Sequence, residues 1–166
     1  MKHLAGILTL ILLYGCSSPS PELESLMKEH PDIQNELNTL SDSELSEVKL
    51  PSHLPFKPDT ISSNVEKDAE LHPRFAEVVY HIGSNANLTV ATYFNRVEHI
   101  NPDLPSSFQL KDGSIADMRM NQVDIRELVW SDKKRKLTYK ISLEVVPQTN
   151  NPWTTEDMLK IADSMK

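Results

Sequence analysis

The residues that could carry chemistry in this chain are few and widely spaced. Cys16 is the only cysteine among 166 residues, and the six histidines lack the i, i+4 or cysteine-paired spacing of zinc ligands. There is no Gly-x-Ser-x-Gly elbow and no glycine-rich phosphate loop. Turns and solvated faces explain acidic residues such as Asp103, Asp112, Asp117 and Asp124. We therefore predict no catalytic, cofactor-binding or metal-binding residue, and no enzyme.

The surroundings of Cys16 are those of a processing site rather than a catalytic one. Met1 and Lys2 give the chain a positive start, and Leu4 to Tyr14 is an uncharged, largely apolar run that leads into Gly15. This order is typical of a signal peptide. Eleven helical residues rise only ~16 Å, about half of a ~30 Å hydrocarbon core, so the run could not stay as a membrane-spanning anchor.

The end of the apolar run resembles a bacterial lipoprotein signal, in which Leu at −3 and a small residue at −1 precede the lipidated cysteine. Leu13, Gly15 and Cys16 match this pattern, and Tyr14 departs from the small or β-branched residue that is usual there. The resemblance implies removal of residues 1–15 and fatty acyl chains, such as palmitate, on Cys16. Two or three chains, at ~0.8 kcal/mol per buried methylene, would hold the protein durably on the extracytoplasmic face of the cell membrane.

The alternative is that Cys16 is an ordinary apolar residue in a buried N-terminal helix. The prolines and serines from Ser17 to Pro21 argue against it, because a helix would not continue through them. We therefore predict a lipid anchor on Cys16. Once lipidated, the cysteine offers no thiol to a disulfide or a metal, so the exported domain must be stable by packing alone.

Residues 16–47 are predicted to carry the lipidated cysteine and an acidic, partly helical spacer. The stretch 17–50 contains eight acidic and two basic residues, so anionic headgroups should repel it and the domain should stand off the membrane. Apolar residues recur at helical spacing in two short pieces, Leu23, Leu26 and Met27, then Ile33, Leu37 and Leu40. With so few of them we expect weak or partial helix, although the apolar stripe could instead pack on the domain or on a partner.

Residues 48–166 are predicted to form one α+β domain. Three prolines between residues 51 and 58 keep its start extended. Strand patterns follow at 75–82, 88–94, 108–110, 114–120, 125–130 and 136–146, and an apolar helical face follows at Met158, Leu159, Ile161, Ala162 and Met165. We expect an antiparallel sheet of five or six strands covered by one C-terminal helix.

The last predicted strand has the clearest alternation in the chain. Its apolar set is Leu137, Tyr139, Ile141, Leu143 and Val145, and its polar set is Thr138, Lys140, Ser142 and Glu144. A period of two residues predicts one buried face and one solvated face.

Several of these segments resemble one uncharacterised family. They are Val48 to Phe56, Val78-Val79-Tyr80, Leu128-Val129-Trp130 with its charged turn, Leu137-Thr138-Tyr139, and the closing helix from Thr155 to Met165. Together they look like a C-terminal domain of lipoproteins and anti-sigma-factor-like membrane proteins from Gram-positive spore-formers. The resemblance covers residues 48–166 and implies an exported sensory or interaction domain, with no catalytic residue to transfer.

One basic run stands out in this acidic chain and is the candidate partner contact. It consists of Lys133, Lys134, Arg135 and Lys136. Such a cluster suits anionic lipid, a wall polymer or an acidic protein, and the alternative is a solvated hairpin turn that prevents aggregation. Nucleic acid is excluded by the acidic net charge and the export signal.

Two functions of different class remain open on these observations. The first is a lipid-anchored, non-catalytic interaction or sensory module. The second is a carrier that holds a small apolar ligand between the sheet and the helix. A cavity beneath the C-terminal helix would favour the carrier, and a filled core would favour the module.

Overall fold

The computed structural model describes residues 18–146 and 153–165. Within these ranges the elements are α1 Pro21–Glu29, α2 Pro31–Leu37, α3 Asp42–Leu45, β1 Thr60–Lys67, β2 Pro73–Ile82, β3 Ala86–Tyr93, β4 Ser107–Gln109, β5 Ile115–Asn121, β6 Ile125–Asp132, β7 Leu137–Val145 and α4 Thr155–Asp163. The predicted signal peptide, 1–15, and Cys16 lie outside the described residues. Removal of the signal and lipid attachment therefore stay predictions.

The strands form a single antiparallel sheet in the order β1-β2-β3-β7-β6-β5-β4. The α+β class, the antiparallel sheet and the C-terminal helix are confirmed, and the sheet has seven strands where the sequence predicted five or six. The strand not predicted is β1, whose sequence is largely polar and offers only Ile61 and Val65 to the core face. Its conformation depends on pairing with β2 rather than on a local apolar pattern.

The outer edge of β1 is covered by the N-terminal helical region. The Glu36 carboxylate accepts a 2.9 Å hydrogen bond from the backbone N–H of Val65, and the Lys67 ammonium donates a 2.6 Å bond to the Thr39 carbonyl. An uncovered edge strand would present unpaired backbone groups to other chains. These two bonds fasten helix and sheet together at that edge.

The acidic N-terminal segment forms well-capped helices that pack on the sheet. The Ser20 hydroxyl accepts the Leu23 N–H at the start of α1, and Ser41 with Glu44 forms a reciprocal capping box at the start of α3. Apolar side chains of this segment belong to the same core cluster as the strands, namely Leu23, Met27, Ile33, Leu37, Leu40 and Leu45.

The sequence predicted weak or partial helix here, and the structure has the three helices α1, α2 and α3. The membrane stand-off stays a prediction. Leu23 and Leu37 are 0 % exposed, so the apolar stripe packs on the domain, which is the alternative that the sequence left open. The reason is that short helices gain most of their stability from tertiary packing, which local propensity does not report. The predicted boundary at Val48 does not separate two cores.

Helix α4 closes the other part of the core. Thr154 and Asp157 form a capping box, and Met158, Ile161 and Ala162 are buried against the sheet, where α4 contacts β6. Beyond the helix, Met165 forms an isolated β-bridge with Pro51. The covering layer therefore contains α1, α2 and α3 as well as the predicted C-terminal helix.

The opposite face of the sheet is called the outer face here, and it carries the polar set of β7. Glu144 is exposed and Lys140 is half-buried on this face. Thr138 is only 2 % exposed and Ser142 only 5 %, so the predicted solvated face is wrong at these two positions. Strand β7 lies between β3 and β6, and larger neighbours such as Tyr93 cover its small side chains. Alternation reports which face a residue occupies, not how deeply its neighbours bury it.

Candidate functional site

The predicted basic run forms the turn between β6 and β7. The Asp132 carboxylate accepts the backbone N–H groups of Lys134 at 2.9 Å and Arg135 at 3.1 Å. Lys136 has a φ of 57°, a left-handed conformation that brings the chain back into β7. A short acidic side chain at the start of a turn is suited to this bonding, so the turn's shape follows from its own sequence.

The four basic side chains do not act as one surface. Arg135 donates a 2.8 Å hydrogen bond to Glu47, which raises its pKa, and it lies 3.6 Å from Asp132. Lys133 and Lys134 are exposed and have no ion pair within 4.0 Å among the described residues. The structure therefore divides the run into an internally bonded Arg135, the two exposed lysines Lys133 and Lys134, and Lys136, which is exposed at the end of the turn.

Lys133 and Lys134 line a hollow together with Lys49, a residue that sequence reasoning did not select. The hollow, called the basic hollow below, has a volume of about 330 Å³. Its remaining lining residues are Asp112, Ser114, Trp130, Ser131, Asp132 and Tyr139. Lys49 is distant in sequence from the basic run and lies alone in an extended segment, so no spacing signal could have joined it to the turn.

Two aromatic rings, tilted by 30° to one another, form the inner wall of the basic hollow. The ring centroids of Trp130 and Tyr139 lie 5.6 Å apart, and the Lys49 ammonium lies 5.2 Å from the centroid of the Tyr139 ring. A cation over an aromatic face is stabilised by the ring quadrupole. This contact holds the Lys49 charge at the wall of the hollow.

The two carboxylates of the basic hollow are already bonded within the protein. Asp112 accepts hydrogen bonds from the Ser114 N–H at 2.9 Å and the Ser114 hydroxyl at 2.6 Å. Burial raises the pKa of Asp112, but the bonds from Ser114 and the charge of Lys49 outweigh it, and the net pKa is lowered. Asp132 is bonded to the turn backbone. Both carboxylates therefore have hydrogen-bond partners within the protein, whereas Lys133 and Lys134 have no ion pair among the described residues.

The outer face offers a second exposed surface of mixed charge. Tyr93 lies between Arg96, 5.0 Å from its ring centroid, and Lys140, at 5.6 Å, and it also contacts the ring of Phe75. Lys140 lies 3.7 Å from Glu127. The charges on this face are largely balanced by their own neighbours, in contrast to those of the basic hollow.

Glu98 forms the most connected ion-pair group of the outer face. Its carboxylate accepts a 3.0 Å hydrogen bond from Arg119 and a 2.7 Å bond from Arg96. The bond from Arg119, and then that from Arg96, outweigh the effect of burial and hold the pKa of Glu98 below its ordinary value. A carboxylate with a lowered folded-state pKa stabilises the protein above its unfolded pKa, and the contribution is lost as pH falls through the folded pKa.

Replacement of Glu98 by Gln is expected to lower the free energy of unfolding by about 1 kcal/mol at pH 7, because it removes a partly exposed charge network. The difference from wild type should shrink as pH falls below the ordinary range of glutamate. Urea unfolding at pH 7 and at successive acidic pH values measures both effects. Glu144→Gln is the matched control, since Glu144 lies on the same face without an ion pair in the described ranges. A Glu98→Gln deficit that persists unchanged at the lowest pH would contradict this assignment.

The layer between the sheet and α4 is filled by side chains. Met158 is 0 % exposed and Ile161 is 2 % exposed, and the facing Leu128, Ile141 and Leu143 are equally buried. Five hollows of about 230–450 Å³ open on the surface of the described chain, and none of these five is lined by a residue of α4. The cavity that would favour an apolar-ligand carrier is not among them.

Among the described residues we find no metal-ligand cluster and no membrane-spanning helix, and the chain matches no known relative. Across residues 18–146 and 153–165, no three His, Cys, Asp or Glu side chains are grouped closely enough to hold a metal ion. No helix in those ranges is both long and apolar enough to cross a bilayer. The whole chain matches no protein-family model, no curated protein and no solved structure.

Proposed function

We propose that the protein is a lipoprotein anchored through Cys16 on the extracytoplasmic face of the cell membrane, where its α+β domain acts as a non-catalytic interaction or sensory module. The observation that carries this proposal is the filled core. The helices pack against the inner face of the sheet, whereas the outer face and the basic hollow are accessible to solvent. A binding protein of this design engages its partner with its surface. The apolar run ending at Gly15 and the resemblance to the Gram-positive lipoprotein domain support the same function.

The alternative of an apolar-ligand carrier is less well supported by the packing. A carrier needs a concave, mainly apolar pocket of ~300–1,000 Å³. The described hollows of that size, at the strand ends and turns, are lined by many charged and polar groups, such as Glu66, Asp68 and Arg74 in one and Asp112 and Lys134 in another. A partner with polar chemistry, whether protein, wall polymer or lipid headgroup, suits these surfaces better.

The anchor is tested by Cys16→Ser in living cells. The variant is expected to leave the membrane fraction or to remain as an unprocessed precursor, because no acyl chain can be attached. Cell fractionation and precursor size on gels measure this, and wild type should accumulate as precursor when the lipoprotein signal peptidase is blocked. Retention of the variant in processed, membrane-bound form, with no wild-type precursor under blockade, would overturn the anchor.

The partner is sought in the same cells by photo-crosslinking from the surface of the anchored protein. A crosslinking residue in place of Lys133 should capture a discrete partner, and one in place of Lys57, which is exposed and outside the basic hollow, serves as the control. Equal and diffuse capture at both positions would indicate that the basic turn is only a solvated hairpin.

A further inference from the structure

We propose that the basic hollow is a binding site for a phosphate group. The proposal rests on the proposed function in one respect, since it names the chemistry that the module would recognise. It differs from the sequence prediction in its residues: the site is made by Lys49, Lys133 and Lys134, and it leaves out Arg135 and Lys136.

The charge balance of the basic hollow favours an anion. Three lysines line it, and neither Lys133 nor Lys134 has an ion pair among the described residues. The carboxylates of Asp112 and Asp132 are turned to internal donors, to Ser114 and to the backbone of the turn. Lys133 and Lys134 have no internal partner, and the neighbouring carboxylates already have theirs. An anion bound at this surface is therefore attracted electrostatically without breaking an existing ion pair.

The other charged surfaces of the described chain do not share this property. On the outer face, Arg96 and Arg119 both bond Glu98, and Lys140 lies beside Glu127. In the hollow at the β1–β2 end, Arg74 pairs with Glu66. A ligand anion would have to compete with an existing carboxylate at each of these places. At the basic hollow it would meet Lys133 and Lys134 without displacing any bond.

Phosphate is the anion that fits the number and type of these groups. An ammonium is a compact point charge that binds phosphate without a fixed fork geometry. Lys133 and Lys134, the two lysines without an ion pair, together match a phosphate group of charge near −2, whereas a carboxylate carries only one negative charge. A volume of about 330 Å³ holds a phosphate together with part of the molecule that carries it. The side chains of Trp130 and Tyr139, which are 4 % and 1 % exposed, form the inner wall behind that remainder.

The arrangement also keeps one charge in place before the ligand arrives. The Lys49 ammonium is held over the Tyr139 ring, and Lys134 belongs to a turn whose backbone is fixed by Asp132. Groups held in position lose less freedom on binding than free side chains do. Lys49 is therefore the fixed member of the site, and Lys133 and Lys134 are the adaptable members.

The test is titration of the full chain in a neutral detergent, followed by NMR of backbone amides and the Trp130 indole. The probes are inorganic phosphate and short-chain phosphatidylglycerol, with sodium acetate and sodium chloride as reference salts. Phosphate or the lipid headgroup should shift the signals of Lys49, Lys133, Lys134 and Trp130 at concentrations where acetate does not. Shifts with inorganic phosphate alone assign a soluble phosphate source, and shifts with the lipid as well assign headgroup binding.

Variants distinguish binding at the basic hollow from a non-specific attraction of anions to the whole protein. Lys133→Gln with Lys134→Gln, and separately Lys49→Gln, are expected to weaken binding about tenfold or more, because each removes a charge-assisted contact. Lys28→Gln with Lys57→Gln removes two exposed charges elsewhere and should leave the affinity unchanged. Thermal melts check that the variants remain folded. Lys133 and Lys134 are exposed and contribute little to stability, whereas Lys49 is half-buried beside the Tyr139 ring, so its variant is compared with wild type at a temperature where both are folded.

The proposal is overturned if neither probe shifts these signals, or if the Lys28 and Lys57 control weakens binding as much as the hollow variants do. Acetate that binds as well as phosphate would also overturn it, because the site would then have no preference for phosphate. The anchor experiment on Cys16 is independent of all these outcomes. A protein that binds phosphate but is not lipidated would contradict the proposed function and leave this site standing.

Discussion

A soluble fragment that begins at Val48 is expected not to fold, although the sequence pattern places the domain boundary there. The fragment lacks α1, α2 and α3, whose buried apolar residues are Leu23, Met27, Ile33, Leu37, Leu40 and Leu45. Burying one such side chain contributes about 1.5–3 kcal/mol. Six of them together contribute about 9–18 kcal/mol, which is comparable to the whole ~5–15 kcal/mol by which a typical domain is stable. The fragment also exposes the β1 edge that Glu36 and Lys67 fasten.

The measurement is circular dichroism and thermal unfolding of two fragments made side by side, one from Ser18 and one from Val48. The Ser18 fragment should show a single cooperative transition. The Val48 fragment should be unfolded or aggregated at the same temperature. A cooperative transition at an unchanged melting temperature in the shorter fragment would show that the helices are an accessory to the domain rather than part of it.

The second large effect is expected at α4, where two neighbouring residues form a matched pair. Ile161→Ala should lower the free energy of unfolding by about 2–5 kcal/mol, since the side chain is 2 % exposed and its removal leaves a cavity. Leu159→Ala should cost clearly less, because Leu159 lies at the margin of the core and is only partly buried. The sequence pattern alone assigned both residues to one apolar face.

Chemical unfolding of the Ser18 fragment, with each variant, measures the difference in the free energy of unfolding, and thermal unfolding measures the melting temperature. Ile161→Ala should shift the melting temperature by roughly 5–15 °C. Equal costs at the two positions would indicate that α4 is rotated relative to the structure. Negligible costs at both would place the helix outside the core.

The parts of the fold that sequence predicted are those with strong local patterns. β7 alternates over nine residues, and α4 combines a capping residue, early carboxylates and an apolar face. The gap between the strand patterns at 75–82 and 88–94 contains the turn between β2 and β3, where Gly83 has the positive φ of 58° that a glycine tolerates. In each of these cases the information lies within a few neighbouring residues.

The parts that sequence did not predict depend on contacts between distant residues. β1 is a strand because β2 pairs with it and α2 covers its edge. The sequence predicts only weak or partial helix at α1 and α2, because their short apolar stripes do not show that the helices pack against a sheet. The same limit applies to the candidate site, because Lys49 joins Lys133 and Lys134 only after the chain has folded.

The packing of α1 also sets how far the folded domain could lie from a membrane if Cys16 were lipidated. Ser20 caps this helix and Leu23 is buried, so only four residues separate the anchor from the folded domain. Four extended residues reach at most ~14 Å. An anchored domain would therefore be confined to a thin layer above the bilayer, where a membrane-borne partner meets it at a raised effective concentration. A partner fixed deep in the cell wall would stay out of reach.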